Sequence, residues 1–136
     1  MTRPLRRDEN TLVPIPRISK EDLRQRLEGD PSARPILIDV RLKYPYEHST
    51  IRLPGALRVS PDQHVDAALS RDRDIVAYDS DPNELVSSPF AAELIRRGYR
   101  ASALKGGISE WITANYPVET KDAPRQAPPE PGSLKG

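Results

Sequence analysis

Two short, uninterrupted apolar segments rich in β-branched residues constrain the fold more than any other feature of the sequence. Residues 35–41 are Pro-Ile-Leu-Ile-Asp-Val-Arg, and residues 73–78 are Arg-Asp-Ile-Val-Ala-Tyr. Polar residues stand at or just after the carboxyl end of each segment. A strand that is apolar on both faces is typical of a parallel sheet covered by helices on both sides. The two segments therefore predict buried strands of a central, mainly parallel sheet.

Helical patterns alternate with these strands. Ser19 and Asp22 form a capping-box-like pair at the start of a first helix, Ile18 and Leu23 suit a hydrophobic staple, and Gly29 ends the helix. The sequence also predicts short strands at 57–59 and 101–104, a weak helix over 62–69, and helices that begin near residue 88 and residue 108. Residues 42–56 are expected to be irregular. Strands that alternate with helices across short loops predict an α/β domain with helices on both faces of its sheet.

Proline and charge divide the 136-residue chain into three parts. Seven of the 15 prolines lie in residues 1–17 and 120–136, where no apolar period appears. We therefore expect a flexible N-terminal arm over 1–17, a folded domain over 18–119 and a Pro-rich disordered tail over 120–136. The arm carries a charge of +2, the tail +1 and the domain −2, so the net charge is +1. That distribution argues against a nucleic-acid partner.

Two absences narrow the function classes further. No apolar stretch is long enough to span a bilayer, and no apolar signal region follows the first arginines, so we expect a cytoplasmic protein without a membrane partner. The chain has no cysteine. This excludes disulfides, thiolate metal sites and cysteine nucleophiles, and we expect neither a cofactor nor a metal.

The order of several motifs resembles that of the rhodanese-like (sulfurtransferase) domain. Five pieces carry the resemblance, over roughly residues 18–119: Ile-Asp-Val-Arg at 38–41, Leu-Pro-Gly-Ala at 53–56, the strand at 75–78 with its loop, Ala-Ala-Glu-Leu at 91–94 with Arg-Gly-Tyr at 97–99, and Leu-Lys-Gly-Gly at 104–107 with Trp111 and Tyr-Pro-Val at 116–118. The resemblance implies a rhodanese-like three-layer α/β sandwich with a central, mainly parallel sheet.

The same resemblance implies a sulfur-accepting cysteine directly after the strand at 75–78. Here that residue is Asp79. Residues 81–84, Asp-Pro-Asn-Glu, are similar to a subgroup whose active loop is Cys-x-Cys-Pro-Asn-Glu, and Asp81 stands at the second cysteine position. We therefore expect no catalytic residue and a catalytically inactive domain, a binding or regulatory module for an unidentified protein partner. The alternative from family resemblance is a sulfurtransferase that moves sulfur from thiosulfate or a persulfide.

The expected recognition surface is the loop that follows the strand, together with Arg41. Its candidate binding residues are Asp79, Ser80, Asp81, Pro82, Asn83, Glu84, Ser87 and Ser88. The Asp79 carboxylate can accept the backbone N–H bonds that would hold a thiolate, as a built-in anion. The three acidic residues are expected to repel anions, and Arg41 either turns toward them or pairs with Asp39 or Glu47.

Pro89 affects how this loop is expected to fold. Proline is tolerated only in the first turn of a helix, so the helix is expected to begin near Ser88, with Ser87 or Ser88 as its N-cap. The loop would then run from Asp79 to Ser87 and lose the tight curvature of an anion cradle. For that reason, and because Asp81 and Glu84 would raise the pKa of a thiol and repel thiosulfate, Asp79→Cys is expected to restore sulfur chemistry only weakly.

Other interpretations of the candidate residues remain open at this point. Asp79-Ser80-Asp81 also resembles the start of the haloacid-dehalogenase-like, Mg²⁺-dependent phosphatases, in which the first aspartate accepts the phosphoryl group. Asp79, Asp81 and Asn83 match three ligands of a calcium loop that lacks its later glycine and glutamate. The Gly106-Gly107 pair suits a tight turn or a phosphate site. His48 and His64 are expected at the surface, and Trp111 in the core.

Overall fold

The computed structural model describes residues 15–63, 65, 69–81 and 83–121. Its strands are β1 (Arg17–Ile18), β2 (Ile36–Asp39), β3 (Ile51–Arg52), β4 (Leu57–Arg58), β5 (Asp74–Tyr78), β6 (Arg100–Leu104) and β7 (Glu119–Thr120). Its helices are α1 (Lys20–Glu28), α2 (Lys43–His48), α3 (Ser87–Arg96) and α4 (Gly107–Thr113), with a 3₁₀ turn at Pro31–Ala33. None of the helices in this part of the chain is long and apolar enough to cross a membrane.

The central sheet has five parallel strands in the order β1-β6-β5-β2-β4. Alternate residues of its strands enter two cores. Leu23 of α1 and Trp111 of α4 pack on one side of the sheet, and Leu94 of α3 packs on the other. The predicted α/β architecture, with buried parallel strands and helices on both faces, is confirmed.

Helix α1 begins and ends where its local sequence predicts. The Ser19 side chain accepts a hydrogen bond of 3.0 Å from the Asp22 N–H, which satisfies one of the free donors of the first turn. Leu23 is fully buried, and Ile18 packs against the same core. Gly29 occupies the C-cap position. Such local signals suffice because each involves residues only a few positions apart.

Residues 42–56 were expected to be irregular, and here the sequence interpretation is wrong. They contain α2 and β3, and β3 pairs antiparallel with β7. Pro45 is the third residue of α2, so its missing N–H breaks no hydrogen bond. A six-residue helix and a two-residue strand carry too little periodicity to be recognised locally, because they depend on tertiary partners for their stability.

The predicted helix over 62–69 is not seen in the residues that can be described there. Residues 61–63 and 69 form turns or bends, and residue 65 has no regular structure. His64 and residues 66–68 lie outside the described residues. The regular elements also reach one residue beyond each predicted domain boundary, because Arg17 belongs to β1 and Thr120 to β7. Residues 1–14 of the predicted arm and 122–136 of the predicted tail lie outside the described part.

Candidate functional site

The candidate site lies where β5 ends at the carboxyl edge of the sheet. Asp79 follows Tyr78 directly and is only 1% exposed, although its side chain is a carboxylate. Ligands of open α/β sheets bind at this edge. A buried carboxylate at this point must find hydrogen-bond donors, because burial without them is costly.

The donors are three backbone N–H groups of the following loop. Asp79 Oδ1 accepts the N–H of Asp81 at 2.8 Å, and Oδ2 accepts those of Val86 at 2.8 Å and Ser87 at 2.6 Å. Ser87 is the first residue of α3, so the carboxylate also sits at the positive end of that helix. The expected built-in anion is present in this geometry.

The segment between β5 and α3 is long, as expected, because α3 begins only at Ser87, but the expected loss of tight curvature is wrong. Pro89 is the third residue of α3 and lies in its first turn, as predicted, where its missing N–H has no partner to lose. The preceding segment remains closed around Asp79 because Asp81 also supports a turn. The Asn83 N–H donates to Asp81 Oδ1 at 2.7 Å, and the Glu84 N–H donates to the Asp81 carbonyl at 3.0 Å. Pro82 lies outside the described residues.

The serine caps expected for α3 are also wrong. Val86 occupies the N-cap position, and its side chain makes no cap hydrogen bond. Asp79 takes over this role from seven residues upstream of Val86, so neither Ser87 nor Ser88 is needed as a cap. Ser87 Oγ is buried without a hydrogen-bond partner in the described structure.

Glu84 is buried and is neutralised by Arg17 of β1, a strand at the edge of the sheet. Its Oε1 lies 2.6 Å from Arg17 Nε, and its Oε2 accepts hydrogen bonds from Arg17 Nη2 at 3.2 Å and the Gly106 N–H at 2.9 Å. Burial raises the pKa of Glu84, but these bonds outweigh it and hold that pKa below its ordinary value. The sequence analysis expected all three acidic residues of the loop to act against anions, but the charge of Glu84 is paired with Arg17.

Sequence reasoning missed Arg17 because it was assigned to the N-terminal arm. Arg17 and Glu84 are 67 positions apart in the chain and meet only because β1 pairs with β6, whose following turn carries Gly106. The one signal for such a partner is the burial of Glu84, which the fold shows and the sequence does not, since a buried carboxylate requires a cation or donors nearby.

Gly106 and Gly107 form a tight turn against the loop, which favours the turn interpretation over a phosphate site. Both have positive φ, 77° and 64°. A Cβ atom on Gly107 would lie 2.5 Å from the Asp79 carbonyl oxygen. That carbonyl accepts the Ile108 N–H at 2.9 Å, and Ser80 O accepts the Ser109 hydroxyl at 3.3 Å. The start of α4 thus fastens the loop from a second side.

Arg41 pairs with Asp39 and not with the loop. Both side chains are almost completely buried, with Nε 3.0 Å from Oδ1 and Nη2 2.6 Å from Oδ2. The Tyr78 hydroxyl donates to Asp39 Oδ2 at 3.0 Å. Burial, and then the neighbouring Asp39 charge, raise the pKa of Tyr78 well above its ordinary value. Of the two alternatives for Arg41, the structure shows the pair with Asp39.

The outward side of the loop presents Leu85, which the sequence analysis did not single out. Its side chain is 67% exposed, and it borders a groove of about 330 Å³ on the flank of α3. Apolar residues of α3, Pro89 and Phe90, line the groove together with Pro61 and Val65 of the opposite segment. A single leucine within a polar loop shows no periodicity, so only its exposure in the fold identifies it.

These features limit what the site can do chemically. Both oxygens of Asp79 already accept backbone hydrogen bonds, and the side chain is nearly inaccessible. No group of three or more His, Cys, Asp or Glu side chains able to hold a metal occurs among the described residues. His48 lies exposed and Trp111 is fully buried, as predicted. The site has the form of an anion cradle whose anion is a fixed part of the chain.

Comparison with known proteins identifies this architecture. The family model described as the rhodanese-like domain matches residues 19–114, well over half of the chain. No curated protein matches the chain.

Several solved structures resemble the model. BH2092 protein from Bacillus halodurans shows a TM-score of 0.68 at 22% identity, over 95% of each chain. A rhodanese-like domain protein from Staphylococcus aureus has a TM-score of 0.59 at 20% identity, over 71% of this chain and 91% of that one. A thiosulfate sulfurtransferase from Pseudomonas aeruginosa has a TM-score of 0.63 at 22% identity, over 77% of this chain and 19% of that one. The fold and the family match agree: this chain belongs to the rhodanese-like domain family.

Proposed function

We propose that this chain is a non-catalytic rhodanese-homology domain that acts as a binding or regulatory module for a protein partner. The observation that carries the proposal is the Asp79 carboxylate, which accepts three backbone N–H bonds in the cradle at the end of β5. In catalytic members this is the expected place of the sulfur-accepting cysteine. A family member that keeps its cradle while replacing the nucleophile retains a shaped surface without the chemistry.

Sulfur transfer requires a polarisable thiolate that attacks a sulfane sulfur and holds it as a persulfide. A carboxylate cannot hold a transferable sulfur, and the chain contains no cysteine at all. The alternative function, sulfurtransferase by family membership, would therefore require a thiol supplied by a partner. An aspartate-based phosphatase is not supported either, because Asp79 is 1% exposed and could not reach a phosphorus atom.

The recognition surface that we propose is Leu85 with the adjoining groove on α3. An exposed leucine next to an apolar groove is the kind of feature that marks a protein interaction site. Asp79, Glu84 and Ser87, which the sequence analysis counted among the binding residues, are buried and shape the loop from inside. Ser80, Asp81 and Asn83 remain accessible at its rim.

Two measurements test this function. The purified protein should give no thiosulfate:cyanide sulfurtransfer above a blank without protein, and clear turnover would contradict the proposal. Tagged wild-type protein should then capture from cells a partner that Leu85→Asp no longer captures. Ile112→Asp is the matched control, because Ile112 is 43% exposed on α4 and does not line the groove. Partners that bind Leu85→Asp as well as wild type would exclude this surface.

A further inference from the structure

A second concavity lies at the opposite edge of the central sheet. It has a volume of about 770 Å³, within the size range of small-molecule sites. Ile36 and Leu57, which line it, begin β2 and β4. Because the strands are parallel, this amino edge is far from Asp79 at the carboxyl end of β5. The concavity, here called the amino-edge cleft, is therefore separate from the candidate site and from the groove beside Leu85.

The wall of the amino-edge cleft is apolar. Four aliphatic side chains line it, and each is half-buried, so each keeps surface that a ligand could cover: Leu27, Ile36, Leu57 and Leu69. Trp111 also lines the cleft, and it is the chain's single tryptophan. Covering such surface removes it from water, which is the main driving force for binding an apolar group.

The rim of the cleft carries uncompensated positive charge. Arg34 and Arg73 are exposed, and neither forms an ion pair with a carboxylate in the described structure. The Arg73 guanidinium reaches the backbone of Arg34, because its Nη2 donates a hydrogen bond to the Arg34 carbonyl. Both residues line the cleft, and a guanidinium group carries donors in the fork geometry that suits carboxylate, sulfonate or phosphate groups.

The two carboxylates that line the cleft do not cancel this charge. Glu28 pairs with Arg24 at 2.9 Å, and Glu119 pairs with Arg52 at 2.6 Å. Glu28 and Glu119 each form an ion pair with another arginine, so the positive charges of Arg34 and Arg73 remain uncompensated. Apolar walls below two guanidinium groups that lack carboxylate partners complement a ligand that has an apolar body and an acidic head.

We propose that the amino-edge cleft binds a small amphipathic anion, whose acidic group pairs with Arg34 and Arg73 while its apolar body covers Leu57 and its neighbours. This site is independent of the partner surface at Leu85. A binding module with two separate sites could sense a small molecule at one edge of its sheet and a protein at the other.

The test uses decanoate as the anion and decanol as its neutral counterpart. Titration of the wild-type protein with decanoate should change the fluorescence of Trp111, and decanol should bind at least about tenfold more weakly, because it lacks the charge-assisted hydrogen bonds. Amide chemical shifts should change at Leu27, Ile36 and Leu57 and not at residues 79–87. No binding of decanoate, equal binding of decanol, or shifts confined to the Asp79 loop would each overturn the proposal.

A pair of double variants separates this site from general electrostatics. Arg34→Ala with Arg73→Ala should weaken decanoate binding about tenfold or more. Arg96→Ala with Arg100→Ala removes the same charge from exposed positions outside the cleft and should change the affinity less than about twofold. Equal losses in the two variants would overturn the site, since the anion would then respond only to net charge. Circular dichroism of both variants confirms that the comparison is between folded proteins.

Discussion

At the scale of single residues, Asp79 shows how one side chain can cap a helix that begins eight residues later. A planar carboxylate has two oxygens with room for several donors, so it satisfies three N–H groups that a thiolate would otherwise hold with one atom. The carboxylate therefore closes the loop around the position that, in the proposed function, has lost its nucleophile.

Truncation of Asp79 should cost more stability than its conversion to asparagine. Asp79→Ala leaves the N–H groups of Asp81, Val86 and Ser87 without their acceptor, and we expect a loss of about 2–4 kcal/mol in the free energy of unfolding. Asp79→Asn keeps one acceptor oxygen and should lose about half as much. Urea denaturation measures both. Asp81→Asn is the control, because only the exposed Asn83 N–H depends on the Asp81 side chain, and a loss as large as that of Asp79→Ala would refute the cap.

A cysteine at position 79 should have a depressed thiol pKa. The sequence analysis expected only a weak return of chemistry, because it inferred an open loop and a repelling field from Asp81 and Glu84. In the structure the N–H donors converge on position 79, and Glu84 is paired with Arg17. We expect the pKa of the thiol in Asp79→Cys to lie about one unit or more below the ordinary value of about 8.5. The pH profile of alkylation by iodoacetamide measures it. Leu85→Cys, on the exposed side of the same loop, should titrate near the ordinary value, and equal profiles would contradict the cradle.

At the scale of elements, the turn between β6 and α4 fastens the loop through close backbone contact. Gly107 has positive φ and leaves no room for a Cβ beside the Asp79 carbonyl, whereas Gly55 also has positive φ but open space around it. Gly55→Ala should therefore lose about 1–2 kcal/mol for its backbone conformation alone. Gly107→Ala should lose about 2–5 kcal/mol, because the clash is added. Urea midpoints of the two variants give the difference, and equal losses would rule out the close contact.

The connection between β1 and the loop depends on the ionised form of Glu84. Its pKa is lowered in the fold, so its contribution is complete above its ordinary value of 4.5 and is lost as the pH falls below that value. Glu84→Gln should lose about 1–3 kcal/mol at neutral pH, and its difference from wild type should shrink on acidification. Urea melts between neutral pH and about pH 3 follow this difference.

A matched control for that titration is Glu93→Gln. Glu93 also has a lowered pKa, held by hydrogen bonds from Arg96 and Arg97, but it lies on the exposed face of α3. Exposed pairs of this kind contribute little to stability, so its effect should be much smaller than that of Glu84→Gln at every pH. A difference for Glu84→Gln that does not change with pH would contradict the role of its charge.

At the scale of the whole molecule, the two cores share one sheet. Trp111 belongs to the core on one side, and Leu94 of α3 to the core on the other. Strands β2, β5 and β6 contribute residues to both sides, as Ile75 and Val76 of β5 do. Loss of packing on one side of the sheet should therefore also destabilise the core on the other side, because the two cores share strands. The domain should unfold as a single unit.

This coupling predicts the behaviour of Leu94→Ala. The variant should lose about 2–5 kcal/mol, and the unfolding transition followed by Trp111 fluorescence should move as far as the one followed by circular dichroism. Leu23→Ala, next to Trp111, should behave in the same way. Separate midpoints for the two probes in Leu94→Ala would show that the two sides unfold independently.

The sequence by itself determined the parallel α/β sheet, the ends of α1 and the absence of thiol chemistry. The strands at 36–39 and 74–78 and the Ser19 cap could be predicted because their signals lie within a few consecutive residues. The missing cysteine is a matter of composition, which folding cannot alter. The position of Asp79 followed from its place directly after a strand.

Only the tertiary structure decided how the candidate site is built. The Arg17–Glu84 pair joins residues 67 positions apart, and Arg41 pairs with Asp39 instead of contacting the loop. Helix α2 and strand β3 form in a segment that shows no helical or strand periodicity in its sequence. Elements of two to six residues are not stable without tertiary contacts, so their local sequence does not predict them. An ion pair between residues so far apart in the chain forms only after the strands have assembled in their order. The cradle around Asp79 is of the same kind, because its donors converge only when α3 and α4 are in place.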